Sequence, residues 1–259
     1  MSRTASFDIL GGMGNFRADS VPVPAVRRLS LYLRQLESLE RRGIRTVSSR
    51  QLGASLGFTD AQVRRDLTYF GQFGQPGIGY RVEALIQRLR QILGTDRSWD
   101  VLLVGVGNLG RALASYKGFE KKGFRLRAAF DADPAKVGRK CGPLVIRPMS
   151  ELRQTVRELG IRLAILTVPA DQAQAVADEL AAAGIKGLLN FAPAAINVPP
   201  DMALEAVDLA VQLEQLSFAV SFASRSQQGV LGTGVCAAFP PRRRRRKACG
   251  SYLPESPAS

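Results

Sequence analysis

The stretch VLLVGVGNLGRALASY, residues 101–116, decides the fold of this chain. Val101–Val104 is an unbroken apolar run, as a strand buried on both faces of a parallel sheet requires. Gly105, Gly107 and Gly110 follow at the spacing G-x-G-x-x-G. The first glycine allows a tight turn, the second lets the backbone approach a pyrophosphate, and the third permits close helix–strand packing. This order predicts a dinucleotide-binding turn between a strand and a helix.

The residues after the turn support the same interpretation. Residues 111–116 have a helical composition, and Asn108 and Leu109 lie where the helix N-terminus would face a pyrophosphate. Leu126–Phe130 predicts a second strand that ends at Asp131. A carboxylate there can accept both ribose hydroxyls of NAD and repels the 2′-phosphate of NADP. We therefore predict a Rossmann-type domain that binds NADH or NAD⁺; the alternative is a Rossmann-like packing domain with an empty cleft.

The alternation of strands and helices continues. Leu163–Val168 predicts a strand, residues 171–183 an Ala-rich helix, and Gly187–Phe191 another strand. Ligands of open α/β sheets bind beyond the carboxyl ends of the strands. The residues at these two strand ends are therefore predicted to wall the nicotinamide pocket, although strand-end packing would explain them equally well: Thr167, Val168, Pro169, Asn190, Phe191, Ala192 and Pro193.

The net charge of +14 is concentrated outside this neutral middle segment. Residues 1–99 have a net charge of +7 and residues 224–259 of +6, whereas residues 100–223 have only +1. A basic N-terminal module joined to a neutral one is typical of a polyanion-binding head on a different body. A solvated basic surface would give the same balance.

The basic head has the element order of a winged helix-turn-helix. A helix is predicted over residues 23–42 from Val26, Leu29, Leu33 and Leu36 at helical spacing. Two short helices follow, the second capped by Thr59 with Gln62 completing a capping box, and then a Gly/Pro-rich hairpin at 71–82. The second short helix would enter the major groove of DNA. The predicted DNA-contacting residues are Ser49, Arg50, Gln62, Arg64, Arg65, Thr68, Tyr69 and Arg81; the alternative is a helical domain that docks another protein.

No catalytic residue is predicted. General acid–base catalysis at neutral pH is most often carried out by histidine, and this chain has none. Tyr116 and the nearby lysines could supply a proton, but no Tyr-x-x-x-Lys pair accompanies them, and the three cysteines fit neither a disulfide framework nor a zinc spacing. An NAD-dependent oxidoreductase with a basic accessory domain remains the alternative function.

Residues 22–222 resemble the Rex redox-sensing transcriptional repressors. The resemblance rests on QVRRDLTYFGQFGQPGIGY, VGVGNLGRALASYKGF, FDADPAKVG, LTVPA, AGIKGLLNFAP and VDLAVQLEQLSF, in that order. It implies a homodimer that binds palindromic operator DNA and releases it when NADH occupies the cleft. It also implies an exchanged C-terminal helix, for which Leu209, Leu213, Leu216 and Val220 form an apolar stripe.

The resemblance further implies a coupling set of three residues. Asp208 of one subunit would meet Tyr116 beside the nicotinamide of the other, together with Arg34 of the DNA-binding head. NAD⁺ and NADH differ by a positive charge on the nicotinamide ring, and an apolar pocket penalises the cation. We therefore expect NADH to bind more tightly and to favour the released state, since only differential affinity can shift such an equilibrium.

The expected organisation is an α/β chain with five segments. These are an unassigned extension (1–20), a winged-helix DNA-binding domain (21–97), a Rossmann NAD(H)-binding domain (98–203), a swapped C-terminal helix (204–222) and a basic tail (223–259) predicted to be disordered. No apolar run is long enough to span a membrane and no signal peptide is recognised, so a cytoplasmic protein is expected.

Overall fold

The computed structural model describes residues 21–74 and 77–227, so the predictions for residues 1–20 and most of the basic tail lie outside the described residues. Its elements form an N-terminal head and a larger α/β body. The head contains α1 (Val23–Arg41), β1 (Thr46–Val47), α2 (Ser49–Leu56), α3 (Asp60–Thr68), β2 (Tyr80–Arg81) and α4 (Val82–Ile92).

The head has a closed hydrophobic core. Leu29 and Leu36 of α1, Leu52 of α2, Leu67 of α3 and Leu89 of α4 are at most 2% exposed and belong to one cluster. Helix α4 was not among the predicted elements, yet its apolar positions fill the space beneath α1. Val26 was predicted in the core stripe of α1 and this is wrong: Val26 is 40% exposed, because the buried face runs through Ala25, Leu29 and Tyr32.

The wing differs from the predicted hairpin. Strand β2 pairs antiparallel with β1, which precedes α2, so its partner does not lie within residues 71–82. Gly71, Gly77 and Gly79 have φ angles of +123°, +79° and +88°, which are conformations that residues with a side chain rarely adopt. A side chain at Gly79 would also lie 2.6 Å from the carbonyl oxygen of Val47.

The body is a doubly wound sheet of seven strands in the order β5-β6-β4-β3-β7-β8-β9. Six strands run parallel and β5 is an antiparallel edge strand. The chain adds β4 and β6 on one side of β3 and then crosses to add β7, β8 and β9 on its other side, as in a Rossmann fold. The strands are β3 (Trp99–Val104), β4 (Phe124–Asp131), β5 (Lys140–Cys141), β6 (Leu144–Pro148), β7 (Leu163–Leu166), β8 (Gly187–Asn190) and β9 (Ala203–Ala206), and the helices are α5 (Asn108–Ala114), α6 (Leu152–Leu159) and α7 (Ala173–Ala183).

The two faces of this sheet are covered unequally. Helices α6 and α7 cover one face and bury Leu152, Val156 and Leu180 against it. Helix α5, only seven residues long, covers part of the other face. The remainder is an open channel of about 1020 Å³, here called the sheet groove, with strand residues such as Leu126 and Ile165 in its wall.

The last helix, α8 (Leu209–Gln227), stands apart from both cores. Every residue from 208 to 222 is exposed, including the predicted apolar stripe. Residues 204–206, assigned from sequence to the helical segment, belong instead to β9, because their backbone pairs with β8. Within the described residues, no helix is long and apolar enough to cross a membrane.

Ion pairs connect the head with the body. Arg27 of α1 contacts Glu205 of β9 at 2.7 Å. Ten residues along α1, Glu37 accepts hydrogen bonds from Lys122 of the body and Arg90 of α4. Burial raises the pKa of the Glu37 carboxyl, but these two cations hold it below its ordinary value. Helix α1 is therefore linked to the body towards both of its ends.

Candidate functional site

The glycine turn connects β3 to α5 as the spacing predicts. Gly105 has φ = +91°, and a side chain there would lie 2.7 Å from the carbonyl oxygen of Thr167. A methyl group at Gly110 would overlap the carbonyl oxygen of Gly105. Among the described residues, no atom lies within 4 Å of a Cβ built on Gly107, so the backbone there is open to a ligand.

Thr167 holds this turn in place from the neighbouring strand end. Its hydroxyl donates to the carbonyl oxygen of Gly105 at 2.6 Å and lies 3.2 Å from that of Val104. Its backbone N–H also donates to the carbonyl of Val104. Thr167 therefore positions the glycine turn as well as lining the cavity beside it.

Asp131 ends β4 beside the turn, and it is 7% exposed. Its carboxylate accepts hydrogen bonds from the backbone N–H groups of Val106 (2.7 Å) and Asp133 (2.9 Å) and from Nζ of Lys136 (3.0 Å). Burial raises the pKa of this carboxyl, but the three donors hold it below its ordinary value. Asp131 is therefore a fixed anion at the edge of the turn.

These residues surround a cavity of about 630 Å³, here called the cofactor cavity, which lies beyond the carboxyl ends of the parallel strands. Its volume is in the usual range for small-molecule and cofactor sites. Of the residues predicted to bind cofactor, Gly105, Gly107, Leu109, Asp131, Thr167, Val168, Pro169, Phe191 and Pro193 line it. A nicotinamide dinucleotide fits this donor set, since the open glycine backbone suits a pyrophosphate and the carboxylate suits a ribose.

Five predicted cofactor residues do not line the cavity: Asn108, Gly110, Tyr116, Asn190 and Ala192, the last of which is buried behind the β8 exit. Asn108 and the buried Gly110 belong to the first turn of α5 without lining the cavity. Asn190 is 2% exposed and its side chain ties the β8 exit together, accepting from the N–H of Ala192 and donating to the carbonyl of Ala194. Tyr116 lies on the wall of the sheet groove. Asn190 therefore shapes the loop that carries Phe191 and Pro193.

Sequence reasoning missed Lys136, Met149, Gln172 and Val176, all of which line the cofactor cavity. Met149 follows β6, a strand absent from the prediction, so the strand-end rule would have found it once β6 was recognised. Lys136 lies five residues after Asp131 in a loop, and no periodicity identifies it.

The helix-turn-helix of the head is formed by α2 and α3. Ser48 caps α2 in a capping box with Gln51, and Gly57 ends the helix at φ = +79°. The Thr59 hydroxyl accepts from the N–H of Gln62, but the predicted capping box is incomplete because the Gln62 amide donates to Asp66 instead.

Three of the predicted DNA-contacting residues, Ser49, Arg64 and Thr68, line one pocket of the head beside the loop that precedes β2. Arg64 donates to Ser49 (3.2 Å) and to Asp60 (2.8 Å), which fixes its guanidinium between α2 and α3. Thr68 donates back to the carbonyl of Arg64. Arg50, Arg65, Tyr69 and Arg81 are exposed, whereas Gln62 is half-buried through its bond to Asp66.

A buried carboxylate fixes helix α3 on α1. Asp66 is 1% exposed and accepts hydrogen bonds from Arg28 (2.6 and 2.8 Å), Tyr32 (2.7 Å) and Gln62 (2.8 Å). Burial raises the pKa of the Asp66 carboxyl, but these donors hold it below its ordinary value. Burial and the bond to Asp66 raise the pKa of Tyr32. Each oxygen of Asp66 accepts two of these hydrogen bonds, so the network fixes the position of α3 relative to α1.

The predicted coupling residues are only partly brought together within one chain. Arg34 and Tyr116 line the same sheet groove. Asp208 lies just before α8, where its carboxylate accepts from the N–H groups of Ala210 (2.8 Å) and Val211 (3.2 Å). Asp208 is therefore an exposed N-cap in the isolated chain.

Comparison with known proteins assigns the family. The model described as "Putative DNA-binding protein N-terminus" matches residues 20–68, and the CoA binding domain model matches residues 96–194. The redox-sensing transcriptional repressor Rex of Carboxydothermus hydrogenoformans is 46% identical over 76% of this chain and 95% of the relative. That of Chloroflexus aggregans is 44% identical over 82% and 99%. The chain belongs to the Rex family of redox-sensing transcriptional repressors.

Solved Rex-family structures agree with this assignment. RSP in complex with β-NAD⁺ and operator DNA is 38% identical, with a TM-score of 0.75 over 80% of this chain and 96% of RSP. RSP in complex with β-NADH is 36% identical, with a TM-score of 0.74 over 81% of this chain and 98% of RSP. The predicted family and fold class are confirmed, and the chain is a regulator rather than an enzyme.

Proposed function

We propose that this Rex-family chain binds operator DNA as a homodimer and releases it when NADH occupies the cofactor cavity. One observation carries the proposal: a helix-turn-helix head and a dinucleotide cleft occur together in a chain that matches 96% of the length of RSP. RSP was crystallised with operator DNA and β-NAD⁺ and, separately, with β-NADH. We place the protein in the cytoplasm, where we expect it to meet both operator DNA and NADH.

The head supplies the DNA-binding surface. Arg64 and Arg65 of α3 and Tyr69, the residue after it, are exposed, whereas Val63 and Leu67 of α3 are buried. Ser49 and Arg50 begin α2, where a helix N-terminus suits phosphate, and Arg81 lies in the wing. Helix α3 would read the major groove while Thr68 and the flanking residues contact the backbone.

The body supplies the response to redox state. Val168, Phe191 and Pro193 are apolar residues of the cofactor cavity that follow β7 and β8, on the other side of β3 from Asp131 at the end of β4. An uncharged dihydronicotinamide loses little on contact with these residues, whereas the cationic ring of NAD⁺ loses hydration. NADH is therefore favoured over NAD⁺. Near-complete release from near-complete binding requires about 5.5 kcal/mol of differential affinity between the two states.

The dimer joins the sheet groove of each chain to α8 of the other. Leu209, Leu213 and Leu216 are 60–67% exposed in the single chain, and a groove of about 1020 Å³ with an apolar floor lies open on the sheet. Arg34, Lys117, Lys121 and Lys122 line the groove, and their charge complements the acids Asp208, just before α8, and Glu214 within it. Seating α8 there brings Asp208 of one chain to Arg34 and Tyr116 of the other.

A titration of the operator complex tests this function. Labelled palindromic operator bound to the full chain is titrated with NADH and, separately, with NAD⁺, and release is followed by anisotropy. Release at lower concentrations of NADH than of NAD⁺ is expected. Equal potency of the two forms contradicts the sensor, and NADH consumption without DNA release would favour the oxidoreductase.

Two variants separate the head from the body in the same experiment. Arg65→Ala removes a cation from the exposed side of α3, so we expect operator affinity to fall by about tenfold while NADH affinity is unchanged. Arg157→Ala removes a cation from α6 of the body and serves as the matched control. Retained operator affinity in Arg65→Ala contradicts the assignment of α3.

A further inference from the structure

Tyr116 lies away from the place that its proposed role requires. The residue follows α5, is 59% exposed, and lines the sheet groove together with Arg34. The residues that line the cofactor cavity do not include it. If Tyr116 reports on the nicotinamide, its ring must therefore occupy a second position when NADH is bound.

The present position of the ring is formed by the two residues that follow Lys117. The ring of Phe119 packs against that of Tyr116 edge to face, with centroids 5.1 Å apart and an interplanar angle of 87°. A methyl group at Gly118 would overlap Cζ, Cε1 and Oη of Tyr116. The ring thus lies directly over the α-carbon of Gly118.

The requirement for glycine at this position comes from the ring and not from the backbone. Gly118 is absent from the described glycines with positive φ, so an alanine there would not be strained by its own conformation. The atoms that a methyl group would meet belong to the tip of one side chain, which can rotate away. Alanine at 118 should therefore displace the ring without unfolding the turn.

We infer that Gly118 and Phe119 form a seat that holds Tyr116 in the sheet groove, outside the cofactor cavity, which makes Gly118 a positioning residue for the coupling. The inference rests on the proposed function. Leaving the seat costs free energy, so only a fraction of the cofactor-free molecules is ready to receive NADH. The apparent affinity for NADH is reduced by that fraction.

The prediction has a definite sign. Gly118→Ala occupies the seat, so the ring populates its other positions before NADH arrives. The dissociation constant for NADH should fall by about fivefold, at the lower end of ordinary coupling factors. By linkage, the NADH concentration that gives half-release of operator falls as well, and operator affinity without NADH decreases.

A double-mutant cycle with Tyr116→Ala distinguishes the seat from a structural role of Gly118. Without the ring, a methyl group at 118 has nothing to displace, so Gly118→Ala should change NADH affinity only in the presence of Tyr116. NADH affinity is measured by calorimetry on the full chain without DNA, and folding by thermal unfolding. Gly118→Ser, slightly larger, should act in the same direction.

Three outcomes overturn the inference. These are an NADH affinity unchanged in Gly118→Ala, an equal change in the Tyr116→Ala background, and unfolding of Gly118→Ala at temperatures where the wild type is folded. The proposed function fails differently, through a wild-type chain that holds operator regardless of NADH.

Discussion

The head and the body complete their hydrophobic cores in different ways. In the head, α1 and α4 close the core over the helix-turn-helix, and buried residues from all four helices belong to one cluster. In the body, α6 and α7 seal one face of the sheet, while the other face keeps the sheet groove and α8 remains exposed. The head is therefore complete within one chain, whereas the body leaves the sheet groove and α8 uncovered, and the proposed homodimer would cover both.

The largest effect should come from preventing the body from completing its core. Leu213→Asp places a charge in the apolar stripe of α8, so we predict a monomer by sedimentation. Affinity for palindromic operator should fall about 100-fold or more, because two linked heads no longer bind together. Gln215→Asp adds the same charge on the opposite side of α8 and should remain dimeric. A Leu213→Asp variant that remains dimeric would contradict the proposal that α8 of one chain covers the body of the other.

The head should respond instead to changes in its buried network. Asp66→Asn removes the charge that satisfies Arg28 and Tyr32, so we predict that the free energy of unfolding falls by about 2 kcal/mol. The measurement is denaturant unfolding followed by circular dichroism. Asp60→Asn, an exposed position on the same helix, should cause a much smaller change. Equal effects at the two positions would show that Asp66 contributes no more than a surface ion pair.

The contrast between Asp131 and Asp66 shows what could be read from sequence. Asp131 was predicted because it comes at the end of a strand. Its hydrogen bonds are mostly local, since two of its three donors lie within five residues along the chain. Asp66 was missed because Arg28 and Tyr32 lie 38 and 34 residues away, and no local pattern records a contact between α1 and α3. Glycine spacing and strand ends predict a site; packed helices create networks that spacing does not reveal.

The same reasoning explains the remaining differences. Strand β2 has two residues and pairs with β1 across two helices, so only the folded head determines its partner. Tyr116 was placed beside the nicotinamide by resemblance, whereas its position in the single chain depends on Gly118 beneath its ring. Six of the residues predicted from strand ends line the cofactor cavity, whereas Asn190 and Ala192 do not, because they lie buried at the β8 exit.

A smaller effect is expected where Lys136 neutralises Asp131. The Nζ atom lies 3.0 Å from the carboxylate and both residues line the cofactor cavity. Without the charge of Lys136, Asp131 should repel the 2′-phosphate of NADPH more strongly. In Lys136→Ala the ratio of the NADPH to the NADH dissociation constant should therefore rise by about fivefold, or ~1 kcal/mol. Calorimetry with both nucleotides measures it. Lys140→Ala removes the same charge outside the cavity, and an identical ratio in both variants would contradict the role of Lys136.

The smallest effect concerns acid stability, to which both regions should contribute. Asp66 and Asp131 have folded-state pKa values below their ordinary value. Each carboxylate therefore adds stability above its unfolded pKa, about 3.9, and that stability is lost as pH falls through the folded pKa. The denaturant concentration at the unfolding midpoint, measured between pH 3 and 7, should thus decrease once the pH is below about 4. The decrease should be less steep in Asp66→Asn for the head and in Asp131→Asn for the body. Because the Asp66 network is closed within the head, its share should be the same with and without NADH, whereas that of Asp131 should change when a ribose competes with Val106 and Lys136 for its oxygens.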